Sequence, residues 1–160
     1  MRTDLKLQNI KKVDKTEILE IEKITGLKLP TYLIDFLLKY SGGEITSSMN
    51  QYSFDYDVLV GDKQFSQSNS IFKILTVVDI KTQWKFIESL YELNEHFELT
   101  NEYVEVEKLL PIIDVYGGAL YIAISGQHDG KIFYGDNGDF GIIKIADSLN
   151  EFFDKKIYTN

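Results

Sequence analysis

Leu120-Tyr121-Ile122-Ala123-Ile124, Lys131-Ile132-Phe133-Tyr134 and Phe140-Gly141-Ile142-Ile143-Lys144-Ile145 are three short runs dominated by β-branched and aromatic residues. Such residues suit a pleated, packed surface, so each run reads as a strand. Asn137-Gly138 falls between the last two runs and is a strong tight-turn pair, since both residues tolerate the left-handed backbone that such turns require. The three strands should therefore form an antiparallel meander. Directly after them, Ser148 and Glu151 have the spacing of a capping box, predicting a final helix that presents Leu149, Phe152 and Phe153 to the sheet.

Upstream, a first helix is expected to begin after Asp14, with Glu17 completing a capping box, Ile18, Ile21 and Ile24 on one face and Gly26 as its end. Pro30 suits the first turn of a second helix, which carries Leu33, Phe36, Leu37 and Tyr40 at helical spacing and stops at Gly42-Gly43. From Gln51 to Val60 the pattern alternates, with Tyr52, Phe54, Tyr56 and Val58 on one side and Ser53, Asp55 and Asp57 on the other, as in a half-buried strand. The polar run from Gly61 to Ser70 reads as a loop and Ile71 to Val78 as a returning strand. Asp79 or Thr82 can then cap a middle helix with the stripe Ile80, Trp84, Ile87, Leu90 and Tyr91. The stretch from Leu99 to Lys108 mixes helix and strand patterns. The expected fold is α+β: a mostly antiparallel sheet with two N-terminal helices, a middle helix and a C-terminal helix.

The 160 residues, without repeats or a proline-rich linker, are expected to form one domain over 1–160. A hydrophobic fraction of 44% supplies a core, and no apolar run is long enough for a membrane span or, at the N-terminus, for an export signal. With cysteine absent as well, the reading is a cytoplasmic protein. A net charge of −8 opposes direct nucleic-acid binding, which depends on lysine and arginine displacing counterions. The same charge favours a basic protein partner by electrostatic steering.

Two segments resemble the SUKH superfamily, named partly after a yeast regulator of cell-wall synthesis. The first is Ile21-Glu22-Lys23-Ile24-Thr25-Gly26-Leu27-Lys28-Leu29-Pro30, continued by Tyr32, Phe36-Leu37-Leu38-Lys39-Tyr40 and Gly42-Gly43. The second starts at Leu110-Pro111-Ile112 and runs through Gly117-Gly118, Tyr121-Ile122, Gly130-Lys131-Ile132-Phe133-Tyr134 and Ile145-Ala146-Asp147-Ser148-Leu149 to Glu151-Phe152. The resemblance implies an α+β fold and, for bacterial members, service as immunity proteins that bind toxins, many of them nucleases. Other members act as regulatory or scaffolding modules. The chain departs from the resemblance at Ala119, where an acidic or amide residue often follows the glycine pair, and at Gly135, where an aromatic residue is frequent. A polar role at those positions does not carry over.

Residues for catalysis or cofactor binding are sparse. His96 and His128 are the only histidines and share no metal-ligand spacing, so no metal site is expected. His128 could serve Ser125 as a base, but Ser125-Gly126-Gln127-His128-Asp129-Gly130 reads more economically as a polar loop. Asp136, Asn137, Gly138 and Asp139 lack the ligand alternation of a calcium loop, and Gly117-Gly118 lacks a phosphate-loop context. No catalytic residue and no cofactor is expected. Seven glutamates lie between Glu88 and Glu107 with no lysine or arginine among them, and Glu88, Glu92 and Glu95 share a helical stripe. Glu88, Glu92, Glu95, Glu98 and Glu102 are accordingly the candidate partner-binding residues. The leading expectation is an immunity protein that neutralises a cognate toxin by direct contact; the alternative is a regulatory or scaffolding module with another protein partner.

Overall fold

The computed structural model describes residues 5, 7–45, 51–60, 62–88, 90–91, 103–136 and 141–159. Helix α1 (Lys15–Thr25) starts at a complete capping box: the Glu17 amide donates to Asp14 Oδ1 at 2.9 Å, and the Asp14 amide donates to Glu17 Oε1 at 3.3 Å. It ends at Gly26, whose φ of 72° is the left-handed conformation that terminates helices at little steric cost. Ile18 and Ile21 are buried, but Ile24 is 46% exposed. Each step of three residues turns the helix by roughly 300°, so a series at i, i+3, i+6 drifts away from the core. Helix α2 (Thr31–Tyr40) follows Pro30 and buries Leu33, Phe36 and Leu37.

Strands β1 (Tyr52–Val60) and β2 (Lys63–Ile74) form a long antiparallel hairpin in unbroken register from Tyr52↔Ile71 to Val60↔Lys63. The segment 63–70, read from sequence as loop, is thus strand. Its side chains from 63 to 68 are exposed on both faces, so no apolar alternation marks it; pairing with β1 decides its state. Ser53 departs from the alternating reading as well, being buried, because Ser70 of β2 and Tyr158 lie opposite it on its two sides.

Strand β2 ends at Ile74, and Thr76 caps α3 (Val77–Trp84), in place of Asp79 or Thr82. The Asp79 amide donates to Thr76 Oγ1 at 3.1 Å and the Thr76 amide donates to Asp79 Oδ2 at 3.0 Å, so this reciprocal cap draws the β-branched Val77 and Val78 into a helix. The expected stripe is divided. Ile80 and Trp84 join the main core, whereas Ile87 and Leu90 join a second one after the turn at residues 85–87, and Tyr91 is exposed.

Strand β3 (Leu109–Val115), which the sequence reading did not assign, pairs with the expected antiparallel meander of β4 (Gly118–Ala123), β5 (Ile132–Asp136) and β6 (Gly141–Ala146) and extends it to four strands. Residues 137–140, including Asn137-Gly138, lie outside the described residues, as do residues 92–102. A single helical turn, α4 (Leu149–Glu151), is capped by Ser148 Oγ, which accepts from the Glu151 amide at 3.1 Å. Glu151 Oε2 accepts from the Asp147 amide rather than from the Ser148 amide, so the box is offset by one residue. A wide π turn (Phe152–Lys156) leads to β7 (Ile157–Thr159), which pairs with β1 and has no counterpart in the sequence reading. Among the described residues the sheet has seven strands in the order β6-β5-β4-β3-β2-β1-β7, giving the expected α+β fold.

Alternation along the meander builds two cores. Leu120, Ile122, Ile132, Tyr134, Ile143 and Ile145 join the cluster that contains the buried faces of α1, α2 and α3. Ala119, Tyr121, Ala123, Phe133 and Ile142 point to the other face and pack with Leu90, Val104 and Val106. Among the described residues no helix is long and apolar enough to cross a membrane.

Candidate protein-binding surface

The second core fixes the surface above it. Leu90, Val104 and Val106 are anchored against the sheet, which leaves their neighbours Tyr91, Tyr103 and Glu107 exposed. Glu88 is exposed on the same approach to the sheet. The Tyr91 hydroxyl is held above its usual range by partial burial first, and then by Glu107, Tyr103 and Glu88, which places these four side chains within electrostatic reach of one another. Phe86 is 66% exposed and Tyr103 62%. Exposed aromatic rings among carboxylates are the composition of a protein-binding patch, since rings supply contact area and charges steer approach.

Of the five glutamates singled out from sequence, the structure places Glu88 here; Glu92, Glu95, Glu98 and Glu102 lie outside the described residues. Glu105, in the same acidic run, has a structural task. Its carboxylate forms an ion pair with Lys108 and accepts the Gln127 amide at 3.3 Å, clamping the loop between β4 and β5. That hydrogen bond and the adjacent lysine hold its carboxyl below the usual range; the Lys108 hydrogen bond contributes most, against a smaller opposing effect of burial.

The same loop settles the place of His128. Its side chain is buried, with the ring edge-on to Phe133 at 5.6 Å. Nε2 lies 3.1 Å from the Tyr103 carbonyl and Nδ1 lies 3.3 Å from Lys131 Nζ. A carbonyl only accepts and an ammonium only donates, so Nε2 donates and Nδ1 accepts. His128 ties the segment before β3 to the loop, while Ser125 is exposed; His96 lies outside the described residues. Gly126 completes this latch with φ 80°, and a Cβ there would meet the Glu105 carboxylate. Gly126→Ala is expected to cost about 1–3 kcal/mol in urea denaturation. Gly26→Ala, equally left-handed but in open space, should cost less, and equal losses would show that the Glu105 contact does not matter.

A cleft of about 410 Å³ lies beside the aromatic patch. Gln83, Phe86 and Leu90 form one wall, and Asp114 and Val115 of β3 another. Gly117, Gly118, Ala119 and Gly135 contribute almost no side-chain bulk, and Tyr121 closes the remaining lining. Gly117 has φ 75° in the two-residue turn between Val115 and Gly118, which are paired. The glycine pair was visible in the sequence as tight backbone geometry, and Ala119 and Gly135 as departures from the family resemblance. Their meeting in one cleft depends on β3, β4 and β5 lying side by side. Among the described residues no group of three histidine, cysteine, aspartate or glutamate side chains is placed to hold a metal ion.

No curated protein and no solved structure matches the chain. The family comparison does find a match, over residues 12–155, which takes in both N-terminal helices, all of β1 to β6 and the capped turn at Ser148. On that match the chain belongs to the SMI1 / KNR4 family (SUKH-1).

Proposed function

We propose that this chain is an immunity protein: it binds a cognate toxin in the cytoplasm and neutralises it by occlusion, without catalysis of its own. Membership of the SMI1 / KNR4 family supports a protein-binding role. The observation that carries the reading is the grouping of exposed Tyr91 and Tyr103 with Glu88 and Glu107, with exposed Phe86 two residues before Glu88. Aromatic side chains are the usual anchors of an interface of about 800 Å² per partner. The surrounding acids would steer a basic surface towards them, and a nuclease, which must attract phosphate, presents such a surface. Glu92, Glu95, Glu98 and Glu102 are proposed to extend the same acidic surface.

The test is co-expression with the product of the neighbouring gene, scoring growth and purifying any complex. Rescue of growth together with a stable complex is the expected result. Neither rescue nor complex would overturn the toxin partnership and leave the regulatory or scaffolding role as the reading.

A further inference from the structure

We propose that the cleft between the end of α3 and the β3–β4 turn receives an arginine side chain of the partner protein, with its guanidinium on Asp114 and against the Phe86 ring. The inference rests on the protein-binding reading and names the group that this surface takes.

Asp114 carries the argument. It lies opposite Ala119 in the β3–β4 register and opposite Lys73 in the β2–β3 register. Lys73 gives its ammonium to Asp79 at 2.9 Å, and among the described residues the Asp114 carboxylate forms no hydrogen bond or ion pair. Burial pushes the Asp114 carboxyl up; Lys73 opposes that shift and Asp79 adds to it. A half-buried carboxylate without a donor pays for lost hydration, and a cation brought to it removes that cost.

The remaining lining selects the kind of cation. Among the described residues no lysine or arginine lines the cleft, so an anion finds no charge partner in that lining. Phe86 offers an exposed ring face, on which a planar guanidinium stacks while pairing with a carboxylate through two parallel hydrogen bonds. The glycines and Ala119 leave room for a flat group close to the strands, and Leu90 and Val115 offer apolar contact to the three-carbon stem. A compact ammonium would gain the charge contact but little of the stacking.

The probe is N-acetyl-arginine N-methylamide, titrated into the isotopically labelled full chain beside its citrulline and norleucine counterparts. Citrulline keeps the shape of arginine without the charge. Saturable shifts at the amides of Gly117, Ala119 and Gly135 are expected with the arginine compound alone. Asp114→Asn should weaken that binding by about tenfold or more. Phe86→Ala, at a side chain that is 66% exposed, should weaken it as well and supplies the test if Asp114→Asn fails to fold. Equal shifts with citrulline or norleucine, no saturable shift at the cleft, or arginine binding unchanged in both variants would overturn the proposal. The two readings fail separately. A toxin complex formed equally well by Asp114→Asn would overturn the cleft while protein binding stands, whereas arginine binding without any complex would overturn the toxin partnership alone.

Discussion

Phe54→Ala is expected to lower the free energy of unfolding by about 3–5 kcal/mol, a large part of the roughly 5–15 kcal/mol typical of a domain. Phe54 is fully buried on β1, and its ring stands 5.9 Å from those of Tyr56 and Tyr134 and 6.0 Å from that of Phe152. Phe152 in turn meets Phe153, and Phe153 meets Phe36, so one aromatic chain joins the hairpin, the C-terminal turn, the meander and α2. Truncation removes the ring and leaves a cavity that β5 and the π turn would have to move to fill. Urea denaturation followed by circular dichroism reads the loss. Phe65→Ala on the exposed arm of the same hairpin is the comparison, expected to fall within about 0.5 kcal/mol of the parent. A similarly small loss for Phe54→Ala would contradict the packing of β1 against the meander.

Reversing charge with Glu88→Lys and Glu107→Lys together should slow association with the co-purified partner by roughly ten- to a hundredfold at low salt. Both side chains are exposed, so stability should stay within about 0.5 kcal/mol of the parent. The deficit should shrink as salt is added, because steering acts through a field that ions screen, while dissociation changes little. Association rates measured at two salt concentrations check this. An unchanged rate at low salt would remove the acidic patch from the interface and leave the aromatic side chains to account for binding.

The part of the site that was legible is its charge. Seven glutamates without a lysine or arginine between them stand out in any reading of the chain, and Glu88 does occupy the exposed patch. The run nevertheless conceals different tasks: Glu105 is spent on Lys108 and the Gln127 amide, a pairing that depends on the loop after β4. His128 shows the same limit. Its neighbours in sequence, Ser125 and Asp129, suggested a polar loop or a catalytic base, but its ring nitrogens are engaged by Tyr103 and Lys131 around a buried ring. Asp114 gave no sequence clue, because it shares a cleft with Phe86 only once β3 and the segment after α3 come together, and Lys73 opposite it is engaged by Asp79.

Local chemistry was enough for the elements whose ends are written in neighbouring residues. Asp14 with Glu17, Gly26, Pro30, Ser148 and the β-branched runs from Leu120 onward determined the first two helices, the last helical turn and strands β4 to β6, since caps and strand preferences act over a few residues. Tertiary structure alone decided the rest. Residues 63–70 became strand because β1 offers them a ladder, and β7 formed because it pairs along β1; the Thr76 cap, by contrast, is local, a capping box with Asp79 three residues on. The cleft, too, exists only once α3, β3, β4 and β5 are assembled, for its walls come from segments whose proximity is set by packing and strand order rather than by any preference of the residues themselves.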